Sequence, residues 1–373
     1  MELRELETPI PVVDLDRLDA NLDRMARYAA EHGLALRPHI KTHKSPHIAA
    51  AQIERGAVGV TCATLREAEV MSEVARDVLV AYPVIGEGKL RRLVSLPEHV
   101  RLTVALDSAA AAEQLGTAAE SSGRRLRVYV EMDVGMRRVG VSSPAEVVEL
   151  AELVSGKPAL EYAGITFYPG HIRERVEDQS ASLLRLASTL HSTVSALERA
   201  GLPPQVVSGG STPTAWRTHE LAAVTEFRPG TYVYNDRTTA EIGACAWDDC
   251  ALTVLATVVS TAVPGQAVID AGTKALGREP VRGASGEGFG VLLERPEVTV
   301  KSMSEEHGIL DLGATSWRPA VGEMVRVIPN HVCIVVHLND VIYGVRGEGV
   351  ETSWPVAARG RLAADHPAAA RPL

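Results

Sequence analysis

Eight times between Leu34 and Tyr232 a short β-branched or apolar run ends in polar residues, and most of these runs are followed by an Ala/Leu/Glu-rich stretch of helical period. The runs predict strands at Leu34–Ile40, Ala57–Ala63, Asp77–Pro83, Arg101–Leu106, Leu126–Met132, Leu160–Phe167, Gln205–Ser208 and Thr225–Tyr232. Helices are expected at Leu65–Val74, Ala109–Ala119, Pro144–Val154 and Ser180–Ala200, after an opening helix at Asp16–His32. Eight strand–helix units predict an α/β fold of the (β/α)8 TIM-barrel type, which needs roughly 250 residues. A doubly wound open sheet is the alternative, and the number of consecutive units favours closure.

Near Ala244 the texture changes. Strand-like runs separated by Gly and Pro take over, at Ala251–Val259, Gln266–Ile269, Gly290–Leu293, Met324–Ile328 and Cys333–Leu338. The expected division is therefore a barrel over residues 10–243 and a C-terminal all-β domain over 244–373, with residues 1–9 packing on the latter. The Ala/Pro-rich end, Ala363–Leu373, reads as frayed. With 38 Lys and Arg against 47 Asp and Glu, the 373-residue chain has a formal net charge of −9. That balance argues against a nucleic-acid partner and against docking on anionic lipid. No uncharged apolar run reaches the ~18 residues of a membrane span, and the acidic start MELRELETPI lacks a secretory core, so a cytoplasmic protein is expected.

In a parallel barrel, reactive groups gather where the strands end. The run Arg37-Pro38-His39-Ile40-Lys41-Thr42-His43-Lys44 crowds cationic groups after the first strand. Repulsion and partial burial there would favour the neutral lysine amine that a Schiff base needs, and a solvated basic loop is the plain alternative. Ser208-Gly209-Gly210-Ser211-Thr212 after the seventh strand reads as an anion cradle or as an ordinary helix cap. Gly230 and Thr231 in the eighth segment lie next to it in the barrel, so the two could grip one phosphate. Lysine and phosphate cradle at one mouth suggest pyridoxal phosphate. In Pro329-Asn330-His331-Val332-Cys333, a strand would put His331 and Cys333 on one face, either as half of a zinc-type site or as a buried thiol beside a histidine. Glu305-Glu306-His307-Gly308 reads as a further acid/base source or as a surface turn, and Cys62, Cys245 and Cys250 as packing residues.

Taken together, RPHIKTHK (Arg37–Lys44), EMDVGMRRVG (Glu131–Gly140), VSGGSTPT (Val207–Thr214), TEFRPGTYVYND (Thr225–Asp236), IDAGTKAL (Ile269–Leu276), SEEHG (Ser304–Gly308) and PNHVC (Pro329–Cys333) give the chain its likeness to a known group. It resembles the D-threonine aldolase and D-serine dehydratase family of alanine-racemase-like, fold-type III pyridoxal phosphate enzymes. The resemblance implies that Lys41, rather than Lys44, forms the Schiff base. It implies that Arg138 contacts the cofactor's phenolic oxygen, that Ser211, Thr212, Gly230 and Thr231 hold its phosphate, and that His331 and Cys333 bind a divalent metal, zinc or manganese. Tyr168 and His171, in Tyr-Pro-Gly-His-Ile-Arg, resemble residues at the site of D-threonine aldolases, with His171 as base and Tyr168 against the cofactor. The implied activity is aldol cleavage of β-hydroxy D-amino acids, with elimination by a dehydratase as the alternative. The His-x-Cys motif leans towards the dehydratase, and the His-Ile-Arg motif towards the aldolase. A racemase and a non-catalytic cofactor carrier are the weaker readings. The resemblance also implies a homodimer and a small D-amino acid substrate.

Overall fold

The computed structural model describes residues 1–283 and 286–362, so the Ala363–Leu373 end lies outside the described residues. Strand β1 (Ile10–Asp14) is followed by eight parallel strands: β2 (Ala35–Leu36), β3 (Val60–Cys62), β4 (Asp77–Val80), β5 (Arg101–Leu106), β6 (Leu126–Met132), β7 (Leu160–Phe167), β8 (Val206–Gly209) and β9 (Glu226–Phe227). Their spatial order is β2-β9-β8-β7-β6-β5-β4-β3. A parallel bridge between His39 and Thr61 joins the two ends and closes the ring. Arg101–Leu106, Leu126–Met132 and Leu160–Phe167 form as the sequence predicts. The first and last barrel strands are much shorter than predicted, and both are cut by proline. Past Pro38 the chain turns into a 3₁₀ segment, Ile40–Thr42, and past Pro229 into another, Thr231–Val233. These two truncations lift Lys41 and Thr231 off the strands and into the barrel mouth.

The helices form where their caps and apolar stripes direct. Ser108, Ser143 and Thr64 each accept a backbone N–H from the first turn of the helix they precede. Helix Leu15–Glu31 buries Leu18, Leu22, Met25 and Ala29 along one face. Its N-cap is Asp14, the last residue of β1.

The second sheet has nine strands. Besides β1 it contains β10 (Leu252–Ser260), β11 (Gln266–Ile269), β12 (Gly290–Leu292), β13 (Val300–Met303), β14 (Gly308–Asp311), β15 (Met324–Pro329), β16 (Val341–Arg346) and β17 (Gly349–Pro355). Two expectations are corrected here. Ile10–Asp14, expected in the barrel, pairs antiparallel with β10 and parallel with β16. The chain thus starts in the β-domain and enters the barrel at Leu15. Cys333–Leu338, expected as a strand, lies in helix Val332–Leu338. Its β-branched residues favour a strand locally, but burial of Val332, Val335 and Val336, at helical spacing, overrides that preference.

Candidate functional site

Lys41 sits in the 3₁₀ turn after β2 at the C-terminal mouth of the barrel. The other cations of its run are accounted for elsewhere. Arg37 points into the barrel, where its guanidinium pairs with Asp77 at 2.8 Å and Glu226 at 2.7 Å. Lys44 is buried, with left-handed backbone (φ 52°), and pairs with Glu67 at 2.5 Å. Burial pushes His43 down to about 3 and His39 well below the usual imidazole range, so both rings are neutral near pH 7. The expected crowd of positive charge around Lys41 is thus dispersed. Lys41 forms no ion pair among the described residues, and its Nζ lies 5.8 Å from the centroid of the Tyr168 ring. The Arg138 guanidinium lies 5.2 Å from the same centroid.

Lys41, Tyr168 and Arg138 line a cavity of about 40 Å³ with His39, Glu131, Gly210 and Arg228. Three buried polar atoms of that lining have no partner: His39 Nδ1, Glu131 Oε2 and Arg228 Nε. Burial raises the Glu131 carboxyl, and it lowers the Arg228 guanidinium although Glu131 and Glu226 oppose it. Unpaired buried polar groups cost about 1–3 kcal/mol each. Three of them around one cavity mark a place built for a polar ligand.

Beside it, Tyr168 also lines a second cavity of about 100 Å³ with Ser211, Thr231, Arg173, Asp236 and His331. The two glycine-bearing strand ends meet here. Thr212 begins a 3₁₀ helix, Thr212–Glu220, and its Oγ1 accepts the N–H groups of Gly230 and Tyr232, each at 3.2 Å. Its own O–H remains available to donate. At Gly230 a Cβ would lie 2.9 Å from the His39 carbonyl oxygen and 3.0 Å from Thr42 Oγ1, so only glycine lets the cradle pack on the lysine turn.

His331 and Cys333 meet, but not as neighbours on a strand. His331 is the extended N-cap of helix Val332–Leu338, and Cys333 lies in its first turn. His331 Nδ1 is 3.1 Å from Asp236 Oδ2, and Cys333 Sγ is 3.3 Å from Thr42 Oγ1. Burial alone would raise the thiol, but His331, helped by Lys41 and Thr42, brings it down to about 7. Burial likewise opposes charge on His331, and Cys333 and Asp236 outweigh it and raise the imidazole well above its usual value. Both side chains face the barrel mouth of their own chain. Among the described residues, no three His, Cys, Asp or Glu side chains are grouped to hold an ion.

His171 and the Glu305–Glu306 turn lie away from this cluster. His171 is exposed, and its ring packs 3.0 Å from the position a Cβ on Gly135 would take. Glu305 and Glu306 form a surface turn paired to Lys274, at 3.1 and 2.8 Å. The residues that sequence reasoning missed are His39, Glu131, Arg228 and Asp236. Each lies in a motif already singled out, but polar residues there read equally well as strand or turn residues. A surface concavity of about 1010 Å³ between Thr64, Tyr82, Arg92 and Arg361 contains none of the candidate residues.

A closed parallel barrel with an unpaired lysine and a hydroxyl-glycine cradle at its mouth, next to a β-domain bearing His and Cys, defines the alanine-racemase-like class. Residues 13–238 match the alanine racemase N-terminal domain, and residues 251–345 match the serine dehydratase domain. The chain is 32% identical to a D-threonine aldolase from Arthrobacter sp., over 96% of this chain and 94% of that one. It is 33% identical to a D-threo-3-hydroxyaspartate dehydratase from Delftia sp., over 94% and 97% respectively. The crystal structure of a D-threonine aldolase from Filomicrobium marinum superposes with a TM-score of 0.89 at 33% identity, covering 96% of this chain and 97% of that one. This chain belongs to the alanine-racemase-like family that includes the D-threonine aldolases and D-serine dehydratases.

Proposed function

We propose that the protein is a pyridoxal-phosphate-dependent lyase of β-hydroxy D-amino acids, cleaving the Cα–Cβ bond as a D-threonine aldolase does. The observation that carries this reading is a lysine without an ion pair at a cavity rimmed by orphaned polar atoms and adjoining a hydroxyl-lined cradle. The residues fit the cofactor. Lys41 supplies the amine, Arg228 Nε and Arg138 supply donors for the ring, and Ser211, Thr212 and Thr231 supply hydroxyl donors for the phosphate, with Gly230 letting the cradle pack on the lysine turn and fixing Thr212 through its N–H. When bound, pyridoxal phosphate provides the electron sink for charge left on Cα. The Tyr168 ring lies 5.8 Å from Lys41 Nζ and 5.2 Å from the Arg138 guanidinium, close enough to help orient both. His39, kept neutral by burial, adds no competing charge beside the amine.

His331 and Cys333 suit a divalent ion, zinc or manganese, which would lower the pKa of the substrate β-hydroxyl. In the aldolase reading His171 takes that proton, and it must then swing from its place against Gly135. A second reading, elimination to a 2-oxo acid and ammonia, is favoured by Cys333, since a thiolate selects zinc. Among the described residues, no helix is long and apolar enough to cross a membrane. Residence in the cytoplasm and pairing into a homodimer complete the proposal. Exposed Tyr82 and Ile85, on the loop after β4 at the mouth, support the dimer, and native mass measurement tests it.

The deciding experiment incubates the protein with D-threonine and D-serine, pyridoxal phosphate and zinc or manganese. Glycine and acetaldehyde from D-threonine are expected. A 2-oxo acid and ammonia instead would establish the dehydratase, and activity that survives chelation would point to a racemase.

A further inference from the structure

We infer that Asp236 is a positioning residue for His331, and that the ion site is assembled across the two domains. This rests on the metal reading above. Asp236 follows the last barrel strand, whereas His331 belongs to the β-domain. The Asp236 side chain is fully buried. Its Oδ1 accepts the Thr239 N–H at 2.9 Å and the Thr239 hydroxyl at 3.0 Å, capping helix Arg237–Glu241. Its Oδ2 accepts the Val332 N–H at 3.3 Å and faces His331 Nδ1 at 3.1 Å. One carboxylate therefore ties the start of a barrel-side helix to the start of the β-domain helix that carries Cys333.

An ionised carboxylate offers about four acceptor sites. Three are filled here by the Thr239 and Val332 N–H groups and the His331 ring, and the Thr239 hydroxyl is shared between Oδ1 and the Asp236 carbonyl oxygen, so Asp236 acts through the imidazole. Because a carboxylate only accepts, Nδ1 keeps its proton, and Nε2 is the nitrogen that would give up its proton to take an ion. Cys333 lies in the first turn of the helix that His331 caps, and it is anchored by Thr42 on the lysine turn. The barrel thus holds one ligand through Asp236 and the other through Thr42, and the β-domain supplies both ligands.

Two substitutions separate positioning from folding. Asp236→Asn keeps an oxygen for the Thr239 cap but presents an N–H₂ group to Nδ1, reversing the tautomer and placing the proton on Nε2. Asp236→Ser keeps a good cap oxygen and is too short to reach the ring. Chelator-treated full-length protein is titrated with Co²⁺, following bound metal and the thiolate-to-cobalt absorbance. The wild type is expected to bind one Co²⁺ with a thiolate band. Both variants are expected to melt within a few degrees of it and to bind Co²⁺ roughly 10–100-fold more weakly, with an altered band. Wild-type affinity and spectrum in folded D236N or D236S would overturn the positioning role while leaving the metal reading intact. No Co²⁺ binding by the wild type would overturn both. A variant that does not fold would likewise overturn the inference, by showing Asp236 to be a structural cap first.

Discussion

The two ends of the barrel interior treat charged side chains in opposite ways. Deep inside, Arg37 is pinned between Asp77 and Glu226, exposed Arg101 bonds the other oxygen of Asp77 from the rim, and Ser208 donates to Glu226 at 2.7 Å. At the mouth, His39 Nδ1, Glu131 Oε2 and Arg228 Nε have no partners, and Lys41 forms no ion pair among the described residues. Burial of a charge is tolerable only when it is paired, as it is deep inside. The unpaired groups at the mouth are the ones that the proposed cofactor would complete. The contrast separates residues that hold the barrel together from residues that hold something else.

The largest expected effect is at Lys41. Lys41→Ala should abolish the visible absorbance of the lysine-bound cofactor and lower turnover by roughly 10³-fold or more, within the range for removing an essential acid–base or nucleophilic group. Spectra and D-threonine cleavage assays check this. A persisting band would shift the role to Lys44 and blur the distinction between the two ends. Deep in the barrel the penalty should fall on stability instead. Glu226→Gln leaves Arg37 buried with one carboxylate, which should cost on the order of 3–5 kcal/mol in denaturant unfolding, while the folded fraction still takes up cofactor.

His43 sharpens the comparison through pH. Burial lowers its folded value to about 3, below an unfolded value near 6.5, so the unfolded chain binds the extra proton between those limits. Stability from this group is complete above pH 6.5 and is lost progressively as the pH falls towards 3. His43→Asn should flatten the melting temperature across that window, as scanning calorimetry would show. The smallest effect on the cofactor belongs to His171. His171→Asn should leave the cofactor band intact and, if the ring swings in as the aldolase base, lower D-threonine turnover by roughly 10²-fold or more. A loss below about 10-fold in steady-state assays would show that the ring stays outside the mouth and that another group takes the proton.

Particular residues show where sequence reasoning succeeded and where it stopped. Lys41, Ser211, Thr212, Gly230 and Thr231 are findable because strand ends in a barrel converge, and their motifs follow the runs that make the strands. His331 and Cys333 were found for the wrong reason, since they share a helix start and not a strand face. Asp236 was quoted at the end of its motif without a role, because its contact with His331 spans 95 positions of sequence.

By itself, the sequence determined the barrel, the appended β-domain and where the strand ends fall, because period and punctuation are local properties. The tertiary structure alone decided which cations are neutralised, that Ile10–Asp14 joins the second sheet, and that Asp236 meets His331. Pairing and burial depend on groups far apart in the chain, and only the packed molecule brings them within reach of one another.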